Sequence, residues 1–367
     1  MHKFETYLAL VRSALWGGDT LWPENQTDTL LLLNAQQGTG PLVYPCIIGQ
    51  ESVSSYARAQ MKGVCVHTMQ QHVHLQYTLE QAWTALEKAG IHPVLMKGAG
   101  LAALYPEPQR RQWGDIDLFV GKQQYHPACA VMRETFPDAL KFDEELDHYK
   151  HYNLIADGVS IEVHRVSVGL QHPVDERRYE RFEQEGMSQS TDERIGGLVV
   201  RVPEPTFNAL FVFMHAWEHM MTKGANMRQL CDLTLLLHHY CEQIERPRLN
   251  HYLRSLHLMD VWQLFMWILV EHIGLPADKA PFYSKSERLK VKGERLLSDL
   301  LALRLVAPEK TKTAPTNRIL RKLFTMRERL RNAHRIRQYS PAYARHMIAE
   351  TLLHGAQRFF AKDRHWE

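Results

Sequence analysis

Apolar residues recur every three or four positions over most of the chain, and every two positions in one stretch only. Phe4, Leu8, Val11 and Leu15 fall on one helical face. A turn-like segment, Trp-Pro-Glu-Asn-Gln-Thr-Asp at 22–28, follows. A second periodic stretch covers 53–89 and stops at Gly90, so residues 1–90 are expected to be mostly helical. The texture then changes. His-Pro-Val-Leu-Met at 92–96 is a short apolar run ending in Lys97-Gly98-Ala99-Gly100, after which Leu-Ala-Ala-Leu-Tyr continues at helical spacing. That pattern predicts a strand, a glycine-rich turn and a short helix. Beyond a loop rich in Pro and Arg, residues 115–120 alternate as a strand does, and 123–135 reads as a helix. Two more strands are expected at 149–156 and 160–164, joined by the hairpin dipeptide Asp157-Gly158. Strands interleaved with helices, plus one hairpin, predict a small mixed sheet. From Pro205 onward the periodicity is helical, at 207–221, 228–240, 249–273, 286–306 and 343–360, with a loop around 310–316 marked by Pro308 and Pro315. The expected class is α+β, with an N-terminal helical region (1–90), a sheet core (91–203) and a large C-terminal helical domain (204–367).

Composition narrows this picture. A chain of 367 residues accommodates two or three domains, and 45% hydrophobic with 23% charged residues excludes disorder, collagen and a pure coiled coil. The most apolar run, 261–270, has half of the roughly 20 residues that a membrane-spanning helix needs, and it contains Gln263. It reads as a buried helix. Glu5 and Arg12 interrupt the first apolar pattern, which makes it an amphipathic helix and not a signal peptide. Five cysteines without a C-x-x-C pair suggest reduced thiols, and so a cytoplasmic protein with no transmembrane segment. The net charge of +3 hides a basic segment at 310–345 with 11 Lys or Arg against the single acid Glu328. Leu320, Leu323, Phe324, Met326, Leu330 and Ile336 interleave with these charges as in a basic amphipathic helix, a pattern suited to a polyanion such as RNA or an anionic surface.

The candidate chemistry centres on Asp115 and Asp117. Residues i and i+2 of a strand share a face, so these carboxylates repel each other unless a cation neutralises them, and Mg²⁺ prefers such oxygen ligands. A third acid, Glu162, lies in Ser-Ile-Glu-Val-His, where Ser160, Glu162 and His164 share a face. The Lys97-Gly98 turn suits phosphate, since glycine lets backbone N–H groups approach it. With Lys97, Arg110 and Arg111 nearby, the set describes a phosphoryl-transfer site served by metal ions. The string His-Ala-Trp-Glu-His at 215–219 spaces two histidines as zinc ligands, but no third ligand supports it, and helix-packing histidines are expected instead. His67, His72, His74, His238 and His239 form no matching ligand set, and no P-loop or G-x-G-x-x-G string follows a strand.

The ordered strings Val-Leu-Met-Lys-Gly-Ala-Gly, Trp-Gly-Asp-Ile-Asp-Leu-Phe-Val and Ser-Ile-Glu-Val-His resemble the nucleotidyltransferase superfamily typified by DNA polymerase β. They look most like the uncharacterised nucleotidyltransferase family found in bacterial biosynthetic clusters, and residues 215–238 are similar to its helical half. The resemblance implies a polymerase β-like fold and an enzyme that moves a nucleoside monophosphate from an NTP to an acceptor hydroxyl of a small molecule, a protein or an RNA end. It implies two Mg²⁺ (or Mn²⁺) ions on Asp115, Asp117 and Glu162, with phosphates at Lys97 and Gly98 assisted by Arg110 or Arg111. The superfamily has Gly-Ser where this chain has Lys-Gly, which keeps a phosphotransferase or a non-catalytic binding module as alternatives. Arg228 either pairs with Asp232 along its helix or reaches into the nucleotide cleft.

Overall fold

The computed structural model describes residues 4–142, 146, 148–170, 173–222, 224–304 and 317–360. The helical lead comprises α1 (Glu5–Trp16), α2 (Thr27–Gln37), α3 (Gly40–Ile47) and the long α4 (Ser55–Lys88). The turn-like segment after α1 is a 3-10 turn at Glu24–Gln26 that runs straight into α2. Ser54 caps α4 by accepting the Ala57 N–H at 3.2 Å, and Gly90, at φ 73°, turns the chain out of it.

The sheet region follows as β1 (Val94–Met96), α5 (Gly98–Ala102), β2 (Asp115–Phe119), α6 (Gly121–Thr135), β3 (Leu140–Lys141), β4 (His151–Ala156) and β5 (Val159–His164). Then come α7 (Pro173–Ser188) and a separate hairpin, β6 (Thr191–Ile195) with β7 (Leu198–Val202). The helical half runs through α8 (Pro205–Thr222), α9 (Met227–His239), α10 (Arg246–Ser255), α11 (Met259–Ile268), α12 (Glu287–Leu301), α13 (Arg318–Ile336) and α14 (Pro341–Phe360). The protein is thus α+β, as its periodicity predicts.

The five-stranded sheet has the order β1-β2-β5-β4-β3, with β2 parallel to β5 and the other pairs antiparallel. Alternation gives it two unlike faces. Ile116, Leu118, Tyr152, Leu154, Ile161 and Val163 are fully buried and pack with Leu79, Trp83 and Leu86 of α4 and Tyr125 and Met132 of α6. The opposite face carries the polar residues. A second core is built by the helices, with Trp262, Phe265, Phe213 and Leu236 at its centre, and the N-terminal half of α4 belongs to it through Ala57, Met61 and Cys65. The long helix therefore contributes to both cores.

Several features depart from the pattern reading, the two-residue strand β3 among them. The hairpin of β6 and β7 and the helix α7 have no counterpart in it, because Thr191–Ile195 is a short polar strand and α7 is rich in charge. The stretch expected as one helix over 249–273 is two, broken where His257 takes φ 58°, and it ends in a π-helical turn at Leu269–Ile273. The apolar run at 261–270 is buried as expected, with Val261, Trp262, Phe265, Met266 and Ile268 fully enclosed. Among the described residues no helix is long and apolar enough to cross a membrane. The expected loop at 310–316, with Lys310 and Lys312, lies outside the described residues.

Candidate active site

Strand register assembles the site. The parallel pair sets Asp115 beside Ser160, Asp117 beside Glu162 and Phe119 beside His164. The antiparallel pair sets Asn153 opposite Glu162 and His151 opposite His164. The alternation that buries Ile116 and Ile161 in the core therefore sends Asp115, Asp117, Glu162, His164 and His151 out of the other face together.

Asp117 is the hub. It is 0% exposed, and its Oδ1 takes the Lys97 ammonium at 2.9 Å and the His164 Nε2 at 3.0 Å. The same His164 nitrogen lies 3.1 Å from Glu162 Oε2. Burial opposes charge on all of these groups, and their neighbours overcome it. Asp117, facing Lys97 and His164, is held far below the usual carboxylate range. Glu162 is lowered by His164. Lys97 and His164 are raised in turn, Lys97 chiefly by Asp117, and His164 by Asp117 and Glu162. Asp115 moves the other way, raised first by the Asp117 charge and then by burial. Asp117 and Glu162 are thus held charged by direct contacts with Lys97 and His164, while Asp115 has no such contact among the described residues.

The turn that delivers Lys97 is strained. Lys97 sits at φ 53°, ψ −139°, a conformation that glycine adopts freely and other residues do not. Glycine is what the superfamily's Gly-Ser pattern has there; this chain holds a lysine in that backbone and gains an ammonium against Asp117. Gly98 is constrained differently. It has φ 43°, and a Cβ there would lie 3.0 Å from Trp113 Cε3 and 3.3 Å from the Asp115 carbonyl oxygen.

The arginines divide. Arg111 is buried, and its Nε and Nη2 grip the two oxygens of Asp232 at 2.7 and 2.8 Å while its Nη1 donates to the Gly98 carbonyl at 3.1 Å. Tyr105 donates to the same Asp232 at 2.7 Å. Arg111 is thus a clamp between α9 and the Gly98 turn, with its donors committed. Arg110 forms an ion pair with Glu107 at 2.7 Å and donates to Cys65 of α4. Asp232 is occupied by Arg111, so the helical pair of Arg228 with Asp232 is not formed. Arg228 donates to the Gln112 carbonyl instead, and its charge bears on Asp115. The structure therefore brings Lys97 and Arg228 to the acids and turns Arg110 and Arg111 to other partners.

Two histidines near the acids escaped a site reading from sequence. His164 was visible only as a face-mate of Glu162, while His151 needed the strand register to be found. His215, in the zinc-like string, feels Lys97 and Asp117; burial first and Lys97 second hold it well below its ordinary value. Burial and then the His164 charge push His151 down to about 3.

The donor set fits a divalent cation. Asp117 Oδ2 is buried with no hydrogen-bond partner, and the Asp115 carboxylate makes no hydrogen bond or ion pair among the described residues. An orphaned buried carboxylate oxygen is costly, and hard oxygens in this arrangement suit Mg²⁺ or Mn²⁺.

The family described as uncharacterised nucleotidyltransferase matches residues 23–274, a span that contains the whole sheet, its acidic face, α8 and α9. No curated protein and no solved structure matches the chain significantly. With the family match covering well over half of the sequence, the chain belongs to the uncharacterised nucleotidyltransferase family.

Proposed function

We propose that the protein is a Mg²⁺-dependent enzyme that transfers a nucleoside monophosphate from an NTP to an acceptor hydroxyl, on a small molecule, a protein or an RNA end, and releases pyrophosphate. The observation that carries this reading is the buried, unpartnered Oδ2 of Asp117, set beside Asp115 and Glu162 on adjacent strands. Asp115, Asp117 and Glu162 hold the ions. When bound, these supply positive charge at the triphosphate and acidify the acceptor hydroxyl.

The chain's own groups do the rest. The backbone of the Gly98 turn and the guanidinium of Arg228 receive the phosphates, and Lys97 adds a point charge beside them. Arg111, through Asp232 and the Gly98 carbonyl, holds that turn against α9. The acceptor oxygen attacks the α-phosphorus. A new O–P bond forms as the bond to the bridging oxygen breaks, pyrophosphate leaves, and Glu162 takes the hydroxyl proton. All five cysteines are unpaired, in keeping with a reducing, cytoplasmic setting. The described part of the basic segment exposes Leu320, Leu323 and Met326 beside Arg327 and Arg331 on α13, and we assign it a polyanion contact. Its affinity for RNA or anionic vesicles falls as salt rises; a flat salt response refutes that contact.

One observation favours a second reading. The Lys97 ammonium already neutralises Asp117, as a metal would, which suits a non-catalytic nucleotide-binding module. Incubation with NTPs labelled at the α- or the γ-phosphorus, with Mg²⁺ or Mn²⁺, separates the cases. Nucleotidyl transfer moves only the α label and frees pyrophosphate; phosphotransfer moves the γ label; a binding module moves neither. Failure of Asp115→Ala/Asp117→Ala to differ from the unaltered protein refutes the enzyme.

A further inference from the structure

The polar face of the sheet holds more nitrogen than a site made for Mg²⁺ alone requires. His164 Nε2 is 3.1 Å and His151 Nδ1 is 3.8 Å from the same oxygen, Oε2 of Glu162. One ligand atom from each of the three residues lies within 4.8 Å of the others. Metal bonds of about 2.0–2.2 Å to nitrogen and oxygen place neighbouring donors about 3.0–3.5 Å apart, so movements of about an ångström or less close the set.

Two further observations single out this trio. The other ring nitrogen of His164, Nδ1, lies 3.3 Å from the Val166 carbonyl. A proton fixed there aims Nε2 at the carboxylates, as a backbone carbonyl does behind a metal-ligating histidine, and the ion takes the place of the Nε2 proton now directed at Asp117 and Glu162, which is released on binding. His151 Nδ1 is buried and has no hydrogen-bond partner. A buried nitrogen left idle costs stability unless something arrives to use it.

We propose that His151, Glu162 and His164 form a second metal position that selects a transition-series divalent ion over Mg²⁺. Two imidazoles and one carboxylate are a borderline donor set that favours the ions from Mn²⁺ to Zn²⁺, whereas the carboxylate pair Asp115 and Asp117 is a hard set suited to Mg²⁺. The two positions share the face and meet at Glu162. The inference deepens the proposed transfer site by giving its two ions different identities, and it depends on that reading only through Glu162.

The test uses the full chain and reads metal binding, not turnover. Zn²⁺ and Mg²⁺ affinities are measured by calorimetry and chelator competition for the unaltered protein, His151→Ala, His151→Asn and Asp115→Asn, with thermal melts to confirm folding. X-ray absorption at the zinc edge counts imidazole ligands. The expected result is a tight Zn²⁺ equivalent with two imidazoles, weakened about tenfold or more in both His151 variants and kept in Asp115→Asn, with Mg²⁺ binding unchanged by His151. Equal Zn²⁺ affinity in folded His151→Ala and unaltered protein, or a zinc edge without the second imidazole, overturns the inference. Mg–nucleotide binding that survives such a result leaves the transferase reading intact. His151-dependent Zn²⁺ binding in a protein that binds no Mg–nucleotide sinks the transferase reading alone.

Discussion

Lys97 carries two opposing energies, and separate substitutions isolate them. Its ammonium is 2.9 Å from an Asp117 that is 0% exposed. Removing one partner of a buried pair costs about 3–5 kcal/mol, because the other charge is left uncompensated. His164 still donates to the same oxygen at 3.0 Å, which places the cost near the low end, about 3 kcal/mol. Against this stands the backbone at φ 53°, where a non-glycine residue stores about 1–3 kcal/mol. Lys97→Met loses the ion pair and keeps the strain, so it is expected to destabilise by about 3 kcal/mol. Lys97→Gly loses the pair and releases the strain, so its net loss is about 0–2 kcal/mol.

The pH dependence has a definite sign. Asp117 has a folded pKa held below its unfolded value of about 3.9, so its contribution is present above that value and is lost as pH falls further. Lys97 is raised, so its contribution persists until pH climbs past its unfolded value of about 10.4. The gap between unaltered protein and Lys97→Met is therefore expected to close below about pH 4, and again in strong alkali above about pH 10.4. Urea unfolding at pH 7.5, repeated toward acid, measures it. A Lys97→Gly protein less stable than Lys97→Met, or a Lys97→Met protein as stable as the original, refutes the reasoning.

Other outcomes follow from the same geometry. Asp232→Asn strands the buried Arg111 guanidinium and is expected to cost about 3–5 kcal/mol by denaturant unfolding; a loss under about 1 kcal/mol contradicts the clamp. Gly98→Ala forces a methyl to within 3.0 Å of the Trp113 ring at φ 43°, so nucleotide affinity and melting temperature should both fall; unchanged values would show that the turn does not need glycine. Burial raises Glu183 to about 7 even though the Ser167 N–H and hydroxyl both bind it. A raised acid destabilises the fold as pH climbs from its unfolded value of about 4.3 through 7, so Glu183→Gln should gain up to about 3 kcal/mol over the original at pH 8 and nothing at pH 4. A pH-independent difference in thermal melts contradicts this.

The sequence made the acidic face legible because period-2 alternation is a local signal. Asp115 with Asp117, and Glu162 between Ile161 and Val163, announce their faces without any knowledge of the fold. What brings them together is the parallel pairing of β2 and β5 across an intervening helix, a long-range contact that local alternation does not encode. His151 was invisible for the same reason: it faces His164 only through the register of the β4–β5 hairpin. The partner of Asp232 was not legible, because helical spacing offers only Arg228 as a neighbour, whereas tertiary packing delivers Arg111 from a loop 121 residues away. The strain at Lys97 has a sequence signal, a lysine where the superfamily carries glycine, but only the backbone angle gives it meaning.

The central claim is that Asp115, Asp117 and Glu162 form a metal-dependent nucleotide site. Calorimetric titration of the full chain with each NTP, in Mg²⁺ and then in EDTA, beside Asp115→Asn and Asp117→Asn, tests it most directly. The account predicts saturable binding of at least one NTP that requires Mg²⁺ and is abolished by either substitution in a folded protein. Binding that is indifferent to Mg²⁺ and to both substitutions, or no binding of any NTP, contradicts it.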